Sequence, residues 1–179
     1  MSAGSFGISQ HVLRREDKGL ITGAGNYSDD TSFADQAYVA FLRSPVAHAA
    51  IKSVDLNAAK TALGVLGAFS GEDLRAAGIG DIPNMTPFPN HDGSPMLLTS
   101  RPAIAVGKVR HVGEIVAMVI AETAGQAADA VELIKFDFDI LPTVVDVEAA
   151  IADGAPQLWD NMPNNICLDF RLGDSNNTD

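Results

Sequence analysis

Ser44, His48 and Asp55 place a nucleophile, a base and an orienting carboxylate on one short stretch of chain. These are the residue types of a hydrolytic triad, but hydrolases expose the serine on a sharp turn and bring its partners from separate segments. Ser44 sits in no such pattern, and all three residues share one strand–turn–strand segment, so coincidence is the better reading. Asp137 and Asp139 fall on the same side of an alternating run and could divide acid and base work. Alternating carboxylates are equally what a solvated strand face carries.

Gly23-Ala24-Gly25-Asn26-Tyr27-Ser28 begins like a dinucleotide fingerprint. Ser28 stands at the third glycine, however, and Asp29-Asp30 follows where a helix N-terminus should receive pyrophosphate. His11, His48, His91 and His111 show no metal-ligand spacing with one another or with Cys167. Cys167 is the single cysteine, which excludes an internal disulfide, a CxxC redox pair and a cysteine-ligated cluster within this chain. No catalytic, cofactor-binding or metal-binding residue is expected here.

Charge narrows the class further. Twelve Lys and Arg stand against 23 Asp and Glu, a formal net charge of −11, which repels a nucleic-acid backbone. The basic residues are scattered apart from Arg14 and Arg15, so an anionic membrane is an equally poor partner. The start of the chain lacks a basic, then apolar, leader pattern, and no apolar run reaches membrane-span length; a cytoplasmic location is expected. With 179 residues, 46% of them hydrophobic, the chain can build one real core.

The pattern supplies a repeated strand-and-helix body. Residues 37–42 are almost continuously apolar and are expected to be a strand buried on both faces, ended by Pro45. A strand over 48–54 leads to Asp55, an expected cap for a helix over 56–62 with Gly64 beyond it. Residues 65–69 read as a strand, and Ser70 with Asp73 as a capping box opening a helix over 71–77, closed by Gly78. Pro83, Pro87, Pro89, Pro95 and Pro102 then block helix and deprive strands of donors across 80–102. Order is expected to resume at 103–106, and the strongly apolar 115–121 is expected at the centre of the sheet. Thr123 and Gln126 form an expected capping box for a helix over 124–134, whose Ala127, Ala130, Val131 and Ile134 share one face. Phe136, Phe138 and Ile140 alternate with Asp137 and Asp139 as a strand with one wet face. Asp146 caps a last helix over 147–152. The expected class is α/β (α+β), a mixed sheet with short packed helices over 35–172, preceded by an N-terminal arm over 1–34. Residues 173–179 read as a linker or the truncated start of a next domain.

Several segments taken together are more specific than any fragment above. They are Arg14-Arg15-Glu16-Asp17 with Leu20-Ile21-Thr22-Gly23, Gly25 and Tyr27; Phe41-Leu42-Arg43-Ser44-Pro45 with Ala47-His48-Ala49 and Ile51; Val112-Gly113-Glu114 with Val116-Ala117 and Ala121-Glu122-Thr123; and Leu141-Pro142 with Asp146. In this order and spacing the chain resembles the α/β hammerhead domain that begins the large subunit of the xanthine dehydrogenase, aldehyde oxidase and carbon monoxide dehydrogenase family.

The resemblance implies a molybdenum hydroxylase, in which a molybdopterin-bound metal hydroxylates a small substrate with water-derived oxygen and electrons pass through [2Fe–2S] clusters to FAD. It also implies that pterin contacts and the catalytic glutamate lie C-terminal to this domain. The chain is then a structural piece, inactive alone and binding no cofactor itself. Its implied partners are the downstream molybdopterin-binding domains and the iron–sulfur and FAD subunits. Arg43 and His48 are expected to hold the hammerhead against the following domains by charged hydrogen bonds. Met85 and Phe88 are expected to line the substrate funnel, near which the corresponding stretch lies in relatives. The ending Gly173-Asp174-Ser175-Asn176-Asn177 suggests a truncated or naturally split subunit. The alternative is a stand-alone hammerhead-like assembly or interaction protein without redox activity.

Overall fold

The structure, a computed structural model, describes residues 14–85 and 87–173. The Ser- and Gly-rich start and the linker-like residues 174–179 lie outside the described residues. The chain divides into two compact units, Met1–Gln36 and Ala37–Asp179. In the first, a helical turn, α1 (Asp17–Ile21), and a 3-10 turn (Ser28–Asp30) form within the expected N-terminal arm. The Tyr27 N–H donates to the Asp30 carboxylate at 2.9 Å, so Asp29-Asp30 closes a local turn and opens no long helix.

The second unit contains strands β1 (Tyr38–Arg43), β2 (Ala49–Asp55), β3 (Val65–Ser70), β4 (Lys108–Val109), β5 (Ile115–Ala121) and β6 (Lys135–Ile140). Its helices are α2 (Asn57–Lys60), α3 (Gly71–Ala76), α4 (Ala124–Glu132) and α5 (Val147–Ala150). Two three-stranded sheets form, in the orders β1-β5-β3 and β4-β2-β6, and every pairing is antiparallel. This differs in detail from one mixed sheet, for a definite reason. The strand–helix repeat does make β1 and β3 run the same way, but β5 inserts between them, and β2 likewise separates β4 from β6.

The capping chemistry read from the sequence organises the helices. Ser70 and Asp73 form a complete box: the Ser70 N–H donates to the Asp73 carboxylate at 2.7 Å, and the Asp73 N–H donates back to the Ser70 hydroxyl at 3.4 Å. The Asp146 carboxylate accepts from the Ala149 N–H at 2.8 Å and starts α5. Thr123 makes half a box, accepting from the Gln126 N–H at 3.2 Å, while its hydroxyl donates to the Gln126 amide oxygen at 3.0 Å. Asp55 accepts from the Asn57 N–H at 3.0 Å, one residue ahead of the N-cap position held by Leu56, and α2 is a single turn.

Order does resume at 103–106, without a strand ladder, and the expected burial of β1 changes. Residues 103–106 are irregular; Ile104 and Ala105 are nonetheless buried, and the Ala105 N–H donates to the Ile115 carbonyl at 2.7 Å. The positive φ of Gly107 (70°) turns the chain there, so the short strand begins only at Lys108. β1 is not buried on both faces but alternates along its length, because it is an edge strand with one face turned to the core.

One core cluster lies between sheet β1-β5-β3 and the helices α2 and α4: Leu56, Ala59, Ala68, Ala117, Val119, Ala130 and Ile134. A second joins the sheets through Ala49, Ala105, Val109 and Val116, and Leu42 and Val54 pack against both clusters. Small alanines on β5 and α4 let helix and sheet approach closely, so dispersion contacts accumulate without large side chains.

Candidate functional site

The residues with potential for hydrolytic chemistry are occupied structurally. Ser44 is buried, and its hydroxyl donates to the Val46 carbonyl at 2.8 Å. His48 is 4% exposed, with Nδ1 2.8 Å from the Pro142 carbonyl oxygen, and its Nε2 has no partner among the described residues. Asp55 is spent on the start of α2. The three therefore form no relay. Asp139 pairs with Lys52 at 2.7 Å, which raises the Lys52 pKa through the hydrogen bond and the attraction of the carboxylate.

A different place draws charged groups together. β1 ends at Arg43 in a bulge, where Leu42 faces Ala117 but Arg43 faces Ile115. Bulges re-aim side chains at a sheet's rim. Here Arg43 Nη1 donates to the Gly113 carbonyl at 2.8 Å, and its guanidinium lies 5.7 Å from the centre of the Phe41 ring. Gly113, at φ 82°, supplies the left-handed turn before β5, and its N–H donates to the Ser44 carbonyl at 2.9 Å.

At this rim a cavity of about 500 Å³ opens, and its walls include Arg43, Arg101, Arg110, His111, Glu114 and Trp159. Arg110 lies over the Trp159 ring at 5.2 Å and donates through Nε to the Leu158 carbonyl at 2.9 Å. The Glu114 carboxylate accepts from the Arg110 backbone N–H and lies 3.7 Å from His111 Nδ1. Trp159 Nε1 is buried without a hydrogen-bond partner among the described residues.

Of the residues singled out in the sequence, Arg43 lines this cavity. His48 lies beneath a separate cavity of about 300 Å³ walled by Arg110, Val112, Val145 and Leu158. Met85 is 81% exposed, and Phe88 packs its ring against Phe170 at 5.7 Å between centres. The Pro-rich stretch is tied down around Phe88: the His91 N–H donates to the Asp169 carbonyl at 2.8 Å, the Asp169 N–H to the Asn90 amide oxygen at 2.8 Å, and the Leu97 N–H to the Cys167 carbonyl at 3.0 Å. Arg101, Arg110 and Trp159 were not legible as site residues, because they reach the rim from separate segments and each looks solitary in the sequence.

The donor set fits no iron–sulfur cluster, since such clusters take several thiolates and Cys167 is the single thiol. Among the described residues no group of three or more His, Cys, Asp or Glu is placed to hold a metal ion. Nor is any described helix long and apolar enough to cross a membrane.

Residues 22–142 match the family described as "Aldehyde oxidase and xanthine dehydrogenase, a/b hammerhead domain". The chain is 33% identical over 159 residues to the nicotine 6-hydroxylase large subunit of Paenarthrobacter nicotinovorans, covering 89% of this chain and 19% of that one. It is 32% identical over 156 residues to the carbon monoxide dehydrogenase large chain of Hydrogenophaga pseudoflava, covering 87% and 18%. Among solved structures it is similar to quinoline 2-oxidoreductase from Pseudomonas putida 86, with a TM-score of 0.68, 40% identity, and coverage of 78% of this chain and 17% of that one. It is also similar to a Cu,Mo-CO dehydrogenase, with a TM-score of 0.64, 33% identity, and coverage of 84% and 18%. The chain thus spans less than a fifth of the length of each of these relatives.

Proposed function

Because the chain belongs to the a/b hammerhead domain family of aldehyde oxidases and xanthine dehydrogenases, we propose that it is the structural hammerhead portion of a molybdenum hydroxylase large subunit, working in the cytoplasm. Its task is to support a molybdopterin-bearing reaction centre built from other segments, with iron–sulfur and FAD subunits completing the electron path. When bound in such an enzyme, the molybdenum cofactor supplies hydroxylation of a small substrate with oxygen from water. This chain's own residues supply shape and contact.

One observation carries the reading: Ser44, His48 and Asp55, the side chains that could do chemistry, are spent internally, while three arginines line one exposed rim. Ser44 and Asp55 bond to their own backbone neighbours, and His48 pins the Leu141–Pro142 segment, with the Leu141 N–H donating to the His48 carbonyl at 3.0 Å. Arg43 sits at the rim, where it can cross a domain seam; His48, buried beneath the separate cavity, is the second proposed seam residue, acting through the Leu141–Pro142 segment that it holds. Met85 and Phe88 are candidate walls of a substrate funnel, Met85 by its exposure and Phe88 by its fixed position on Phe170.

The test is purification of the native assembly containing this chain, followed by analysis for molybdenum, iron and flavin. All three are expected together, and Arg43→Ala should lower the yield of assembled enzyme. A colourless assembly without molybdenum would refute the reading. Phe88→Ala in the holoenzyme should shift substrate preference.

A further inference from the structure

We infer that the cavity at the end of sheet β1-β5-β3 receives a carboxylate side chain, an Asp or Glu, from the molybdenum-bearing body. This rests on the function proposed above and names the chemistry of its seam. Three of the chain's 12 Lys and Arg residues, Arg43, Arg101 and Arg110, line this one cavity, although the chain as a whole carries −11. The local sign is opposite to the global one.

These guanidinium groups are positioned without being neutralised. Arg43 is held by the Gly113 carbonyl, and Arg110 by the Leu158 carbonyl and the Trp159 face. Carbonyl oxygens fix a guanidinium in place while leaving its net charge intact and further N–H groups free. The Arg101 guanidinium has no partner among the described residues; only its backbone is engaged, the N–H donating to Asp81 at 3.2 Å and the carbonyl accepting from the Ile82 N–H at 2.8 Å. Glu114, the cavity's own carboxylate, is taken by the Arg110 backbone N–H, and nearby Asp160 is taken by Lys108 Nζ at 2.9 Å. Both carboxylates keep their charge, and Asp160 also attracts Arg110, but two carboxylates against Arg43, Arg101, Arg110 and Lys108 leave positive charge in excess at the cavity.

The surface around the cavity suits a protein partner better than a free anion. Val39 and Phe41 precede Arg43 on the same side of β1, at 49% and 42% exposure. Phe41 and Phe69 both face Met118 across the sheet, and Phe69 is 36% exposed. An apolar strip running into a basic pocket is the layout of an interface in which hydrophobic contact excludes water around a charged anchor. A carboxylate seated there would gain charge-assisted, two-pronged bonds to arginine.

The test uses the assembled enzyme. In an Arg101→Lys variant, carbodiimide joins the new amine directly to any carboxylate in contact, and mass spectrometry identifies the partner. A cross-link from position 101 to an Asp or Glu outside Met1–Asp179 is expected. Coupling confined to Asp81 or Glu114, or no coupling, would overturn the inference while leaving the structural role standing. In the unmodified assembly, an arginine-selective dicarbonyl should label Arg101 at least about tenfold more slowly than the exposed Arg75, since a seated partner excludes water and reagent. Equal labelling would likewise overturn it. An assembly without molybdenum would remove the function proposed above and this inference with it.

Discussion

The two faces of sheet β1-β5-β3 are made from the same three strands and behave oppositely. On one, Ala68, Ala117 and Val119 are fully buried against α2 and α4. On the other, Val39, Phe41 and Phe69 remain substantially exposed, and half-buried Met118 and Ile120 lie between them. Leu42 also turns to the covered face, and Val116 on the other side of β5 is buried under the second sheet, yet Val39, Phe41 and Phe69 stay exposed where an isolated domain would hide its large apolar groups. Exposed apolar strips of this kind mark contact sites. The contrast teaches that the inner face makes the fold, and it singles out the outer face as the one on which the proposed assembly can be tested.

Substitutions should separate the two roles, the largest effects falling inside. Val119→Asp buries an unpaired charge and should cost about 4 kcal/mol or more, read as loss of a folded product or a collapse of the denaturation midpoint. Gly71→Ala should cost about 2–3 kcal/mol by the same measurement, because a β-carbon there would press on the Ala105 and Ile104 carbonyl oxygens, backbone that cannot swing aside. Ser70→Ala removes the cap of α3 and should cost about 1 kcal/mol at neutral pH. Phe41→Ser, on the outer face, should cost the folded body about 1 kcal/mol, through lost cross-strand contact with Met118 and Arg43, far less than Val119→Asp. It should nevertheless weaken assembly, and a large stability loss with intact assembly would invert the comparison.

The Ser70 substitution also has a pH signature. The Ser70 hydroxyl and backbone N–H bonds hold the Asp73 carboxyl below its ordinary value near 3.8. A carboxylate whose pKa is lowered on folding contributes stability that is complete above the unfolded value and disappears as pH falls through the folded one. The deficit of Ser70→Ala should therefore narrow as the pH drops below 3.8, where protonation weakens the same bonds in the unsubstituted protein. A deficit independent of pH would show that the hydroxyl acts on the backbone alone.

Local chemistry made much of this legible. The central position of 115–121 followed from its continuous apolar character, and the starts of α3 and α5 from Ser70-Asp73 and Asp146. The family was readable because its segments recur in fixed order along the chain. What was hidden depended on partners distant in sequence. The alternating burial of β1 depends on β5 lying beside it, some 70 residues later, with α4 on only one side. The rim cavity depends on Arg43, Arg101, Arg110 and Trp159 converging from separate segments, and no local spacing encodes that. The order expected at 103–106 is carried by Ile104 and Ala105, which are buried without a strand ladder.

The most direct test of the two-faced sheet is hydroxyl-radical labelling of the complete assembled enzyme, comparing Phe41 with Leu63 in the same preparation. Phe41 is 42% exposed and Leu63 87% exposed in this chain taken alone. If the outer face is seated against the rest of the enzyme, Phe41 should be almost unlabelled while Leu63 reacts. Labelling of Phe41 in proportion to its free exposure would contradict the account.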